Sequence, residues 1–340
     1  MFHVKRVEKK KQYEVFLAAA PEFMGGRFLQ SYEWGEFLRQ AGHPVDRVLI
    51  KDGDGKLWGR ATLVWTRFFW GARYAYCAFG PELDYKNTSK KNLTFIFKAL
   101  GQFTRLEGGM FFRFNPPVLK TGDVFSAGEL EEVCFWESQA KSRQVEQTLY
   151  LELGAGEQEL LAQMKSKTRY NIRLARKKGL EVAVGFSKKE LGVFLGLAKQ
   201  TSKRNRFDLH ADAYYEKMVQ TLGRLGILRI WTASFSGQPI AANLMIYYKD
   251  TVTYLHGASS DEHRGLMAPY LLHWQAIKQA REQGFKYYDF WGADEKKWPG
   301  VTRFKLGFGG KTQRFAPTLE MDTSGLKYKI YRFSRTVLGK

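Results

Sequence analysis

Acidic residues are scarce in this chain relative to basic ones. Asp and Glu number 34 against 54 Lys and Arg in 340 residues, which gives a formal net charge of +20. Cysteine is scarcer still. Cys77 and Cys134 each sit within an apolar run, so neither a disulfide framework nor a cysteine metal site is expected, and both read as small buried side chains. No stretch approaches the ~18 uncharged apolar residues that a spanning helix needs. The first residues, Met1 to Lys11, lack an apolar core ahead of their charges, so no secretory signal is expected and the cytoplasm is the natural compartment. Histidines are few, and His256, His263 and His273 are separated by 7 and 10 residues, which is not zinc-ligand spacing. No metal and no cofactor is expected.

What is present in quantity is aromatic and basic. Phe, Tyr and Trp number 26, 17 and 9, enough to build cores and still line a binding cleft. The length suits two domains of ordinary size. A charge of this magnitude attracts polyanions: nucleic acid, an anionic membrane surface or a diphosphate-bearing substrate. Charge alone does not choose among them.

The chain carries the same supersecondary unit twice. In the first copy, Val45–Ile50 reads as a strand, the turn signal Asp52-Gly53-Asp54-Gly55 follows, and Trp58–Phe69 returns. Arg73–Phe79 is a further strand, broken by Gly80-Pro81. A helix fits Asn92–Glu107 with Leu93, Ile96, Phe97, Leu100 and Phe103 on one face, and Met110–Phe114 closes the unit. In the second copy the strands are Leu228–Phe235, Ile240–Tyr248 and Thr251–Gly257, the helix is Pro269–Gln283 and the closing strand is Tyr287–Trp291. Each half is therefore hairpin, strand, crossover helix, strand. A crossover helix between neighbouring strands predicts one parallel pair in an otherwise antiparallel sheet. That is the layout of a GNAT-like acyltransferase, so the expected class is α/β with mixed sheets, two such domains and a cleft between them.

Residues 157–178 predict one long helix, acidic at its start and basic at its end, stopped by Gly179. Leu160, Met164, Thr168, Ile172 and Ala175 form its buried stripe. Lys165, Lys167, Arg169, Arg173, Arg176 and Lys177 occupy the remaining face with Lys178, and no acid falls among them. A merely solvated helix usually mixes signs, so this face is a candidate for a phosphate backbone, with binding that weakens steeply with salt. Lys188, Lys189, Lys199, Lys203, Arg204 and Arg206 continue the basic character.

The segment Met164-Lys-Ser-Lys-Thr-Arg169-Tyr170-Asn171-Ile172-Arg173, running on to Gly179, resembles the basic segment of the Fem (FemABX) family of peptidoglycan-bridge aminoacyltransferases. So do Phe28-Leu29-Gln30-Ser31 with Trp34-Gly35, Gly257 through Leu272 with Trp274, Tyr288-Asp289-Phe290-Trp291-Gly292, and Phe304-Lys305 ahead of Phe308-Gly309. With no heptad-bearing arm, the chain is similar to the compact, FemX-like members. The resemblance implies two GNAT-like domains. The first covers 1–150 together with about 315–340, and the second covers 151–314 and carries the basic helix.

It further implies attack by a stem-peptide amine on the ester of an aminoacyl-tRNA, the acceptor being UDP-MurNAc-pentapeptide or lipid II. Lys305 is then the candidate to stabilise the developing oxyanion, and Phe304 shapes its channel. Tyr214 and Tyr254 match tyrosines that contact the acceptor. His210 stands where the family often has an arginine, and Arg39 is the nearest cation to a phosphate-binding lysine of the family that is replaced here. A monomer is expected. The basic C-terminal stretch from Leu326 reads as a short amphipathic helix, a packing element or a peripheral contact with the inner membrane surface.

Other readings stay open. One is an acyl-CoA-dependent GNAT enzyme, although Met267 stands three positions after Arg264 where a pyrophosphate turn wants glycine. A non-catalytic RNA- or membrane-binding module is another, and a leucyl/phenylalanyl-tRNA–protein transferase sharing the same donor is a third.

Overall fold

The computed structural model describes residues 1–16, 25–68, 70–117, 135–137, 143–205 and 207–338. Cys134 and Arg206, singled out above, lie outside them. The chain divides into two compact units, residues 1–146 with 314–340 and residues 147–313.

In the first unit, β2 (Val45–Lys51) and β3 (Leu57–Arg67) form a hairpin. Its turn is closed by Asp52, whose Oδ1 accepts the amides of Asp54 and Lys56. β1 (His3–Arg6) lies outside β2, β4 (Arg73–Cys77) and the short β5 (Glu82–Leu83) lie antiparallel to β3, and α1 (Lys10–Tyr13) and α2 (Tyr32–Gln40) precede the hairpin. β4 stops at Cys77, two residues short of the expected end, because Phe79 takes a left-handed φ of 47°. α3 (Lys90–Leu106) starts at Ser89, whose hydroxyl accepts the Asn92 amide. It carries the chain back so that β6 (Gly109–Phe114) runs parallel to β4. Leu93, Ile96, Phe97 and Leu100 of α3 are buried against Val48, Ile50, Leu63, Phe112 and Phe114 of the sheet, as their spacing requires. The sheet is completed from far along the chain. β15 (Leu319–Asp322) sits antiparallel between β6 and β7 (Phe135–Glu137), and α10 (Leu326–Leu338) follows it.

The second unit repeats the plan. β10 (Leu228–Phe235) and β11 (Gln238–Tyr248) meet at Ser236 and Gly237, both left-handed (φ 49° and 77°) as a tight hairpin turn demands. β12 (Thr251–Ser259) follows antiparallel, α8 (Ala268–Glu282) crosses over, and β13 (Tyr287–Asp289) pairs parallel with β12. β8 (Gln147–Glu152) lies beyond β13 and β14 (Lys311–Arg314) beyond β8, while β9 (Glu181–Gly185) flanks β10. α6 (Lys188–Asn205) and α7 (Asp212–Met218) complete the unit. Each sheet thus holds a parallel pair joined by a crossover helix, β4 with β6 and β12 with β13.

The expected single helix over 157–178 is two helices. α4 (Glu157–Gln163) ends, Met164 and Lys165 take extended conformations (ψ 150° and 145°), and α5 (Ser166–Lys177) begins. No glycine or proline marks the break. Tertiary hydrogen bonds outcompete helical ones here: the Lys165 amide donates to Gly307 O at 2.9 Å, and the Arg169 guanidinium takes Met164 O. The predicted stripe nonetheless survives, since Leu160, Met164, Thr168, Ile172 and Ala175 are all buried.

Candidate active site

Lys305 belongs to α9 (Pro299–Leu306), not to a surface loop, and it is 6% exposed. A lysine is almost never buried without partners, and here the partners are backbone. Trp291 and Gly292, just past β13, are both left-handed (φ 51° and 34°). That double turn swings two successive carbonyls to one side, and Lys305 Nζ donates to Trp291 O at 2.5 Å and to Gly292 O at 2.7 Å. For tryptophan such a backbone costs about 1–3 kcal/mol, so something must hold it. Asp289 does. Its Oδ1 accepts the Trp291 amide at 2.8 Å and the Thr148 hydroxyl at 2.5 Å.

A tetrahedral nitrogen has four positions. Lys305 spends one on its side chain and two on these carbonyls, and among the described residues no protein acceptor takes the fourth. The surroundings of that position are aromatic. The Tyr254 ring lies 5.3 Å from Nζ, and His273 packs among Tyr254, Phe290, Phe304 and Phe308 at centroid distances of 4.4 to 5.4 Å. Burial pulls the Lys305 ammonium down from 10.5 to about 7, against the opposing pull of the Asp289 charge. Burial likewise pushes the Asp289 carboxyl up to about 6, with the Thr148 and Trp291 hydrogen bonds working the other way. His273 is held neutral by burial and by the nearby ammonium. Its Nδ1 bonds Tyr288 at 2.8 Å, and Nε2 is buried without a partner. The site therefore presents one strong donor in low-dielectric surroundings, on a nitrogen that exchanges its proton near neutrality.

Tyr254 reaches this site because of an irregularity. Leu244 opposes His256 and Met245 opposes Tyr254, so Leu255 is an extra residue in β12. Residues two apart on a strand ordinarily share a face. The bulge separates them: Tyr254 packs on His273 of α8, while His256 packs on Phe194 of α6 and on Tyr215. His210 and Tyr214 belong to this second group. Their rings stack at 4.1 Å, and both touch Tyr215. Gly257 is required beside the bulge, because a Cβ there would lie 1.7 Å from the Tyr254 hydroxyl. In the first unit, Arg39 donates to Val45 O and pairs with Glu8 and Glu36, so its charge is already met.

The basic helix is joined to α9 at the Gly307 carbonyl, two residues beyond Lys305. Lys165, Lys167, Arg173, Arg176 and Lys177 are exposed, and among the described residues none forms an ion pair. Arg169 is half-buried, its guanidinium engaged with Met164 O. Farther along, two cations of the basic run are compensated: Lys199 pairs with Asp212, and Arg204 with Asp261. Two features of the site escaped the sequence reading. Tyr170, which stood within the Fem-like segment without being given a role, is 57% exposed on the cationic face. Thr148 carried no signal at all.

Comparison with known proteins follows these lines. An 85-residue stretch, 24% of this chain, is 28% identical to the aminoacyltransferase FemB of Staphylococcus epidermidis and spans 20% of that protein's length. The lipid II:glycine glycyltransferase of Staphylococcus epidermidis is 19% identical over 84% of this chain and 83% of its own. The crystal structure of FemX superposes with a TM-score of 0.80 at 18% identity, covering 96% of this chain and 99% of that one. A tandem GNAT protein from the clavulanic acid biosynthesis pathway superposes at 0.54 with 12% identity, over 95% and 99%. The FemAB family profile matches residues 9–131, 136–236 and 230–336, nearly the whole chain, and the protein belongs to that family.

Proposed function

We propose that this protein is an aminoacyltransferase that moves an amino acid from an aminoacyl-tRNA to an amine of a peptidoglycan precursor, UDP-MurNAc-pentapeptide or lipid II. The observation that carries the reading is the unused fourth position of Lys305, two residues from the carbonyl that seats the basic helix. The acceptor nitrogen attacks the ester carbonyl carbon, and the oxygen that gains charge accepts the free Lys305 N–H. The bond to the ribose oxygen then breaks, and that oxygen leaves as a hydroxyl carrying the proton that the acceptor amine gives up as the amide forms. One preorganised donor of this kind contributes on the order of 10²–10³ in rate. Phe304 and Tyr254 keep water from the ammonium, which strengthens the interaction. The cations of α5 bind the phosphate backbone, with Tyr170 exposed among them to stack on a base.

Tyr214 with His210 forms a second group that fits the precursor, and the protein works at the inner face of the membrane. An acyl-CoA donor fits less well. Proline stands in the first turn of α8, behind a left-handed Met267, which removes an amide that a pyrophosphate would use. The test is transfer of labelled amino acid from a panel of charged tRNAs to lysine-containing precursors, soluble and lipid-linked. No transfer from any tRNA, with transfer from an acyl-CoA instead, overturns the proposal.

A further inference from the structure

α10 buries one face and leaves an apolar stripe on the other. Tyr328 and Tyr331 are buried, with Tyr328 packing on Phe111 and Tyr331 on Phe111 and Phe68. At about 100° per residue, Leu326, Ile330 and Phe333 fall on the opposite side, and they are 73%, 57% and 71% exposed. Helices of globular proteins turn their apolar stripe inward, whereas this one turns a second stripe out. Lys327 and Lys329, both exposed, flank it, and α10 contains no acid from Leu326 to Leu338. The tip between β3 and β4 abuts the same helix. Phe68 touches Tyr331 at 5.4 Å, and Trp70, packed edge-on to Phe68, is half-exposed.

From this we infer that α10 and the β3–β4 tip form a membrane-docking face, lying in the headgroup plane of an anionic bilayer with Leu326, Ile330 and Phe333 facing the acyl chains. Three observations select a bilayer over a protein partner. The stripe is outward and linear, as a flat interface requires. The cations line its edges rather than its centre, where lysines snorkel to headgroups. A half-exposed tryptophan, Trp70, stands on the tip that abuts this helix, and an amphipathic ring is favoured at a membrane interface. This surface gives the membrane contact of the proposed function a place, yet it rests on the first unit alone. Vesicle binding and aminoacyl transfer are read in separate assays, so either can fail without the other.

The test uses the full chain and flotation with vesicles of phosphatidylcholine containing a minority of phosphatidylglycerol. The triple variant Leu326→Ser/Ile330→Ser/Phe333→Ser removes no charge, so it leaves attraction through α5 intact, and its outward positions spare the core. The expected result is at least a tenfold loss of vesicle binding. Brominated acyl chains should also quench wild-type fluorescence more than that of Trp70→Phe. Vesicle binding by the triple variant equal to wild type overturns the inference. So does a wild-type dimer that the triple variant converts to monomer, which would make the stripe a contact between two copies.

Discussion

Replacing Lys305 by methionine separates the charge of this residue from its volume. The ammonium is held at about 7 instead of 10.5, so at pH below about 7 its burial costs about 5 kcal/mol. Methionine removes that cost but leaves the Trp291 and Gly292 carbonyls without their donor, each worth about 1–3 kcal/mol. The two changes nearly cancel, and stability near neutral pH should move by less than about 3 kcal/mol. The pH dependence does not cancel. Between about pH 7 and about pH 10.5 the unfolded chain holds a proton on Lys305 that the folded chain has released, so wild-type stability rises with pH through that interval. Integrated between about pH 7 and about pH 9, wild type gains about 2 kcal/mol over Lys305→Met. Loss of the ammonium also raises the Asp289 pKa in the variant, which penalises the variant as pH rises and acts in the same direction. Urea unfolding of both proteins at several pH values measures this difference. Parallel stability curves would show that Lys305 is not held deprotonated by burial, and the account of the site would fail.

Lys305→Ala should lower transfer by about 10²–10³ while charged-tRNA binding, measured by filter retention, stays within about twofold. Arg173→Gln/Arg176→Gln/Lys177→Gln should weaken tRNA binding and reduce the slope of log K against log salt by about 2; an unchanged slope removes α5 from the RNA interface. Arg169 is a poor choice for that experiment, since it holds the break before α5. Gly257→Ala should drive the Tyr254 hydroxyl off its seat and cost about 1–3 kcal/mol, read as a lower Tm with a matching loss of transfer. Asp289→Asn removes the charge that supports the ammonium, so the Lys305 pKa should drop below about 7, visible in the ¹³C resonance of its ε-carbon as pH is varied.

Much of the architecture was legible because it rests on period and punctuation. The α3 stripe, the hairpin turn at Ser236-Gly237 and both crossover helices are local patterns, and local patterns with a crossover dictate a parallel pair. The site was less legible because its features are tertiary. The bulge at Leu255 leaves no composition signal, although it decides which face Tyr254 occupies. The break at Met164–Lys165 depends on a carbonyl some 140 residues away, at Gly307. The resemblance singled out Lys305, but its burial and its partners were not legible, since nothing nearby in the sequence announces two carbonyls turned toward it by a strained tryptophan. β15 alternates apolar and acidic residues (Leu319, Glu320, Met321, Asp322) but is only four residues long, too short for its period to stand out, so its place inside the first sheet shows only in the pairing.

That last strand has a consequence for how the molecule is made. β6 is flanked on one side by β4 and on the other by β15, which emerges from the ribosome some 200 residues later. Throughout that synthesis one edge of β6 is open, with Phe112 and Phe114 beside unsatisfied backbone, while every strand of the second unit has its partners nearer to hand. The nascent first half thus waits for its own tail, and truncation before Leu319 should yield aggregation rather than a smaller folded protein.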